Sequence, residues 1–115
     1  MFNPGDVVQV FFPFGEGQDR EGVPQGKDRP AQVLTVPDAD GDFVAVALTG
    51  AGHHPNTLPI TAADGQSLRL SKASFVRADK LLTFNTVGVI KKYGAVKTEL
   101  VHKVRKLTCP ALGCT

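Results

Sequence analysis

The chain of 115 residues is poor in cysteine and contains no tryptophan. Its two cysteines, Cys109 and Cys114, both fall in the last seven residues. A disulfide framework or a zinc site needs several Cys or His residues at defined spacings, and no second Cys/His pair has metal-site spacing here. The sequence therefore supports neither of these ways of stabilising a small fold, and a hydrophobic core has to do so.

Long apolar runs are also missing. The longest extends over a few residues, whereas a membrane-spanning helix needs roughly 18. The first residues, MFNPGD, have neither the basic flank nor the apolar stretch of a signal peptide. Hydrophobic residues make up 42% and charged residues 21%, a mixture typical of soluble globular chains. We therefore expect a cytoplasmic protein without membrane association, folded as one domain over residues 1–115, since domains commonly have about 100–150 residues.

The net charge of +2 conceals an uneven distribution. Residues 1–68 carry three basic against nine acidic residues, a net charge of −6, whereas residues 69–115 carry ten basic against two acidic, a net charge of +8. A basic half suits a polyanion or an acidic protein partner. The halves of a small barrel also interleave in space, so the two charges can neutralise each other, and charge alone slightly favours this second explanation.

Alternating apolar residues predict a mainly β protein. Val8, Val10, Phe12 and Phe14 alternate within residues 6–14, which predicts a first strand. Residues 15–28 show no periodicity and are rich in Gly and charge, which predicts a long loop of the kind that often binds ligands. Further strands are predicted at residues 30–36, 43–49, 58–61, 67–70, 74–84 and 87–93, with the short fourth strand at a sheet edge because of Pro59, and with a break at Gly94.

The period changes near the C-terminus. Leu100, Val101, Val104 and Leu107 lie on one face of a helix, with Thr98 as the nearest candidate cap. Pro110 is expected to stop the helix, leaving residues 109–115 as a frayed tail. Five to seven short strands and one helix predict a small, strongly curved sheet or barrel with a C-terminal helix.

Two residues near predicted strand ends have the chemistry to bind a phosphate. Arg29 precedes Pro30, which favours an extended backbone, and its guanidinium has five donors in a fixed arrangement that suits phosphate. Thr49 ends the strand at 43–49 just before a Gly-rich turn, and its hydroxyl can donate to a phosphate oxygen. The ordinary alternatives are a surface ion pair for Arg29 and a backbone hydrogen bond for Thr49.

A third candidate group is Arg77 with Asp79. Because they are two residues apart on a predicted strand, both project from one face. A carboxylate beside a guanidinium supplies a proton acceptor and a charge stabiliser to one reacting group. A structural salt bridge is an equally ordinary alternative. His53 and His54 lie in a predicted loop and are expected to be solvated, and His102 is expected to be a plain polar residue of the helix.

Taken in chain order, four segments resemble the MazF/PemK family of bacterial toxin endoribonucleases. The similarity extends from residue 4 to about residue 107, and Val-Arg-x-Asp-Lys is its most specific part. The segments are Pro4-Gly5-Asp6-Val7-Val8 leading into Phe12-Pro13-Phe14, Asp28-Arg29-Pro30-Ala31-Gln32-Val33-Leu34, Ser74-Phe75-Val76-Arg77-Ala78-Asp79-Lys80-Leu81, and the helix near residues 99–107.

The resemblance implies an SH3-like barrel with a C-terminal helix, a homodimer, and cleavage of single-stranded RNA without a metal or other cofactor. It implies a cognate antitoxin protein that covers the RNA groove and so neutralises a growth inhibitor. Where some members have a histidine after the first strand, residues 15–28 contain none. The residues implied to be catalytic are Arg29, Thr49, Arg77 and Asp79, and those expected to bind RNA are Arg20, Lys27, Lys80 and His53.

The implied reaction is attack of a ribose 2′-hydroxyl on the adjacent phosphodiester, which leaves a 2′,3′-cyclic phosphate. In this interpretation Asp79 is the base, Arg29 and Arg77 stabilise the phosphorane, and Thr49 orients an oxygen. Two alternatives stay open: a gyrase-poisoning toxin on the same barrel, and a catalytically silent barrel that only binds nucleic acid or protein. The gyrase alternative ranks lower because the C-terminal residues, Ala-Leu-Gly-Cys-Thr, offer no aromatic anchor.

Overall fold

The computed structural model describes residues 2–18, 24–50, 52, 55–61 and 74–113. Their strands pair into one six-stranded antiparallel sheet, and a single helix follows the last strand. This confirms the predicted mainly β fold, a small curved SH3-like sheet with a C-terminal helix. The elements are β1 (Asp6–Gln18), β2 (Pro24–Val33), β3 (Asp42–Thr49), β4 (Thr57–Pro59), β5 (Phe75–Asn85), β6 (Lys91–Ala95) and α1 (Thr98–Ala111). Among the described residues, no helix has the combination of length and apolarity that crossing a membrane requires.

The sheet has the strand order β4-β5-β3-β2-β1-β6. Its longest ladder joins β1 to β2. The loop predicted over residues 15–28 is wrong for residues 15–18 and 24–28, which belong to these strands, and residues 19–23 lie outside the described residues. Both strands continue into that segment, and Gln18 is still paired with Pro24. Ladder hydrogen bonds need backbone groups and no particular side chains. A Gly-rich, charged segment can therefore extend a hairpin without showing the alternation that sequence reasoning looks for.

Most other strand predictions hold within a few residues. β3 confirms the strand predicted at residues 43–49, and β4 lies at the sheet edge, where Pro59 needs no ladder donor. The predicted strand at residues 87–93 is wrong in its first part, because Thr86–Gly88 form a 3₁₀ turn and β6 begins at Lys91. Gly94 does not break the chain but lies inside β6 at a φ of +134°, where β1 and β6 shift register. The strand predicted at residues 67–70 lies outside the described residues.

Helix α1 is longer than its apolar pattern indicates. Its N-cap residue is Lys97 rather than Thr98, and no side chain caps it. Pro110 does not stop the helix. Its missing N–H removes one backbone bond, but the Leu112 N–H still donates to Thr108 O at 3.1 Å, and the helix continues to Ala111. Cys109, predicted to belong to a frayed tail, is therefore helical, and it is disulfide-bonded.

Two apolar clusters cover the two faces of the sheet. The helix-side cluster packs α1 against the sheet, and the second cluster fills the other face, where Phe84 meets Phe12 edge-on with ring centroids 5.1 Å apart. Burying this apolar area is the main stabilising contribution. The helix-side cluster comprises Val7, Leu34, Val46, Leu48, Val76, Ala78, Val96, Leu100, Val101 and Val104, and the second comprises Val8, Val10, Phe12, Ala31, Val33, Phe43, Ala45 and Ala47.

Gln32 interrupts the helix-side core. It is 0% exposed, pairs with Val7 and Val46 on the neighbouring strands, and neither Nε2 nor Oε1 has a hydrogen-bond partner among the described residues. A buried amide without partners costs about 1–3 kcal/mol. We therefore expect Gln32→Met, which has nearly the same length and no polar amide, to raise the free energy of unfolding by about 1–3 kcal/mol in urea denaturation.

The matched control for this prediction is Gln9→Met. Gln9 lies on β1, and its Oε1 accepts a hydrogen bond of 3.0 Å from the Tyr93 hydroxyl. Since this amide has a partner, removing it should lower stability or leave it unchanged. A Gln32→Met variant less stable than the wild type would show that the buried amide is satisfied and contributes to the fold.

Candidate functional site

Arg29 and Thr49 both lie near the end of the β2–β3 ladder. This ladder extends from Val33↔Ala45 to Ala31↔Ala47, and Arg29 on β2 and Thr49, the last residue of β3, each lie two residues beyond its final pair. Directly opposed residues in an antiparallel pair project from the same face. Because alternate residues of a strand share a face, Arg29 lies with Ala31 and Thr49 lies with Ala47 on the face that is turned away from α1.

Strand β5 brings Arg77 and Asp79 to the same face. Thr49 is paired with Phe75, and alternation along β5 then directs Arg77 and Asp79 with Phe75, whereas Val76 and Ala78 are buried on the helix side. We call the surface formed by Arg29, Thr49, Arg77 and Asp79 the site face. Residues from three adjacent strands, β2, β3 and β5, thus meet there.

Arg77 and Asp79 form an ion pair. The Arg77 Nε donates to Asp79 Oδ1 at 3.3 Å, and each side chain is 25% exposed. The predicted pairing on one face is confirmed, and so is the contact that a structural salt bridge would make. Both side chains remain accessible to a ligand on the site face.

Arg29 presents an unsatisfied donor. Its residue is partly buried, and its Nε is a buried atom without a hydrogen-bond partner among the described residues. Buried N–H groups are nearly always paired in folded proteins, and those of a charged group most of all. An anionic oxygen bound beside Thr49 would supply the missing acceptor.

The predicted RNA-binding residues divide into three groups. Lys27 is exposed, and because it lies two residues before Arg29 on β2, it projects from the same face. Lys80 directly follows Asp79 and is partly buried. Arg20 and His53 lie outside the described residues. The structure thus brings Lys27 to the site face. Lys80 is the neighbour in sequence of Asp79, which lies on that face.

Sequence reasoning missed two groups that hold the backbone of this site. The Ala78 N–H donates to Asn56 O at 2.9 Å, and the Ala78 carbonyl accepts from the Thr108 hydroxyl at 2.7 Å. Thr108 is thirty residues from Ala78, so no local pattern links the two. The available signal is that Thr108 lies one helical turn after Val104, which places a hydroxyl on the apolar stripe of α1.

The charges of α1 lie on the other side of the sheet. The helix exposes several cations to solvent, which are Lys103, Arg105 and Lys106, with His102 beside them as predicted for a plain polar residue. The described basic residues of the C-terminal half are therefore spread over several surfaces: Arg77 lies on the site face, three cations lie on α1, and Lys91 and Lys92 lie on β6, where Lys92 pairs with Asp6 at 3.3 Å. Within the described part of the chain, no group of three or more His, Cys, Asp or Glu residues is arranged to hold a metal ion.

Comparison with known proteins relates this architecture to toxins. A family model described as "PemK-like, MazF-like toxin of type II toxin-antitoxin system" matches residues 3–110. A search of curated proteins gives no match. Several solved structures share the fold at low sequence identity.

Three of these structures illustrate the likeness. A MazE-MazF crystal structure from Deinococcus radiodurans has 22% identity and a TM-score of 0.73, covering 99% of this chain and 97% of that chain. A mycobacterial endoribonuclease in complex with its cognate antitoxin has 20% identity and a TM-score of 0.70, covering 100% and 98%. The Mycobacterium tuberculosis toxin MazF-mt6 has 16% identity and a TM-score of 0.65, covering 98% and 99%. At these identities the likeness establishes the fold.

Proposed function

This chain belongs to the PemK-like, MazF-like toxin family of type II toxin–antitoxin systems, and we propose that it is an endoribonuclease that cleaves single-stranded RNA without a metal ion. The observation that carries this proposal is the Arg29 Nε, a buried cationic donor without a partner among the described residues. Arg29 lies on the face that also holds Thr49, Arg77 and Asp79. A phosphodiester bound there would accept hydrogen bonds from both strands.

The proposed reaction needs a base and a stabiliser of negative charge. Asp79 takes the proton of a ribose 2′-hydroxyl, and the 2′-oxygen forms a bond to the adjacent phosphorus while the bond to the 5′-oxygen breaks. Arg29 and Arg77 stabilise the charge that builds up on the phosphorane oxygens, and Thr49 orients one of these oxygens. The products are a 2′,3′-cyclic phosphate and a 5′-hydroxyl.

The proton for the leaving 5′-oxygen comes from water in this scheme. A guanidinium does not deprotonate in proteins, so neither Arg29 nor Arg77 is assigned as the acid. The need for a 2′-hydroxyl excludes DNA as a cleaved substrate. With no tryptophan in the chain and Tyr93 as its single tyrosine, stacking of the flanking bases would fall to Phe, His or Arg side chains.

The proposed partners are a second copy of the chain and an antitoxin. The resemblance to a MazE-MazF complex and to an endoribonuclease bound to its cognate antitoxin extends over nearly the whole chain and supports such a partner. Lys27 and Arg29 give the site face a positive edge that suits an acidic segment as well as RNA. We place the active protein in the cytoplasm, where its RNA substrates occur.

The test is incubation of the purified protein with a long transcript of defined sequence in the presence of EDTA, followed by mapping of the ends. Discrete cuts that carry cyclic phosphate are expected. Intact RNA at high protein concentration would instead indicate a barrel that only binds. DNA breaks without RNA fragments in cells that express the protein would indicate a gyrase poison on the same fold.

A further inference from the structure

The segment that carries Arg77 and Asp79 leaves the regular ladder between β3 and β5. Val46 is paired with Leu81 and Leu48 with Val76. Four residues of β5, from 77 to 80, therefore lie opposite one residue of β3, Ala47. A bulge of this kind interrupts the ladder hydrogen bonds and redirects the side chains it carries. The positions of the Arg77 and Asp79 side chains consequently depend on whatever else holds this backbone.

Two hydrogen bonds from outside β3 hold the middle of the bulge. The Ala78 N–H belongs to the peptide that links it to Arg77, and it donates to Asn56 O at 2.9 Å. The Ala78 carbonyl belongs to the peptide that links it to Asp79, and it accepts from Thr108 Oγ1 at 2.7 Å. These are the two peptide groups between the Cα atoms of Arg77 and Asp79. Each is therefore fixed by one bond.

The Thr108 hydroxyl is well placed to act as an anchor. Thr108 is 7% exposed, and it lies on a helix that buries Leu100, Val101 and Val104 against the sheet. A helical threonine ordinarily bonds back to a carbonyl of its own preceding turn. Here the hydroxyl instead donates across to β5. The packed helix therefore restrains the backbone of the bulge through the side chain of Thr108.

We propose that Thr108 is a positioning residue for the Arg77–Asp79 pair, an inference that rests on the nuclease activity proposed above. Thr108 lies on the helix side of the sheet and acts on the other side through the Ala78–Asp79 peptide. Its hydroxyl fixes the orientation of that peptide and thereby the direction of the Asp79 side chain. Without this bond the carboxylate remains present but is displaced from the attacking hydroxyl, and displacement by about 1 Å can cost up to about 100-fold in rate.

The test compares Thr108→Val, which keeps the shape and removes the donor, with Thr108→Ser, which keeps the donor. Rates are measured on a short RNA that spans a cut mapped with the wild type. Thr108→Val is expected to lower kcat by roughly 10–100-fold with little change in KM. Thr108→Ser should restore most of the loss. The control is Leu100→Ala, which weakens the packing of α1 two turns away and leaves the hydroxyl in place.

A double-mutant cycle separates positioning from general destabilisation. If Thr108 acts through Asp79, then Thr108→Val should change kcat by less than about twofold when Asp79→Asn is already present. Circular dichroism melting curves show whether any loss of kcat is caused by unfolding. If Thr108→Val stays folded and cuts as fast as the wild type, or if Leu100→Ala at equal stability loses as much kcat, the positioning role is wrong. A wild type that cuts no RNA would instead overturn the proposed function.

Discussion

Arg29→Ala should lower the rate of RNA cutting by about 10²–10³-fold and leave the fold intact. The side chain lies at the edge of a core that is otherwise apolar, and its Nε has no partner to lose among the described residues. Removing a donor that stabilises transition-state charge typically costs about 10²–10³ in kcat. We expect a loss of that size in kcat for a short RNA substrate, with a melting temperature equal to or above that of the wild type.

Two further variants complete this measurement. Arg29→Lys keeps the charge but loses the planar arrangement of donors, so it should recover only a small part of the rate. Lys103→Ala removes an exposed cation from α1, on the opposite side of the sheet, and should cut at the wild-type rate. Equal cutting by the wild type and Arg29→Ala would exclude the assigned role.

Asp79→Asn is the second variant with a large expected effect. The amide keeps the size of the carboxylate but accepts no proton, so kcat should fall by about 10²–10⁴-fold while KM changes little. If the 3.3 Å contact with Arg77 were only a partly exposed salt bridge, its loss would cost about 0–1 kcal/mol of stability and no rate. Parallel measurements of kcat and of unfolding in urea distinguish the two roles.

Glu99→Gln is the matched control for Asp79→Asn. Glu99 is the acidic residue in the first turn of α1 and is exposed, so the same change of carboxylate to amide should leave cleavage unaffected. An Asp79→Asn variant with full activity would assign the carboxylate a structural role and require another base.

The placement of the candidate residues on one face could be predicted because strands impose simple rules. Alternation put Arg77 and Asp79 on one face, and the turn residues around Thr49 marked the end of β3 correctly. That Arg29 and Thr49 both lie on this face near the end of the β2–β3 ladder depends on the register of these two strands. A sequence does not state that register, because it depends on how the whole hairpin pairs. Local sequence patterns do not link Arg29 with Thr49, whereas the family resemblance implies that they act together.

The errors have physical causes of their own. The sequence predicts a loop at residues 15–18 and 24–28 because their side chains do not alternate, whereas the structure has them in β1 and β2, with a register shift between Pro13 and Gln18. The sequence also predicts that Pro110 ends α1, but the Leu112 N–H continues the helical hydrogen bonding beyond it. The bulge at Arg77 and its anchor at Thr108 come from tertiary contacts over thirty residues of sequence. In the sequence, such contacts are indicated at most by a hydroxyl residue among the apolar positions of a helix.

The most direct test of a phosphate site on the site face is an NMR titration with a short RNA. This RNA carries a single 2′-deoxy substitution at the cleaved nucleotide. This RNA should bind without being cut. The Arg29 Nε–H signal and the amide signals of Thr49, Arg77 and Asp79 are predicted to shift together, while those of Lys103 and Lys106 on α1 stay in place. Shifts confined to α1, with the Arg29 Nε–H unmoved, would contradict a phosphate site on this face of the sheet.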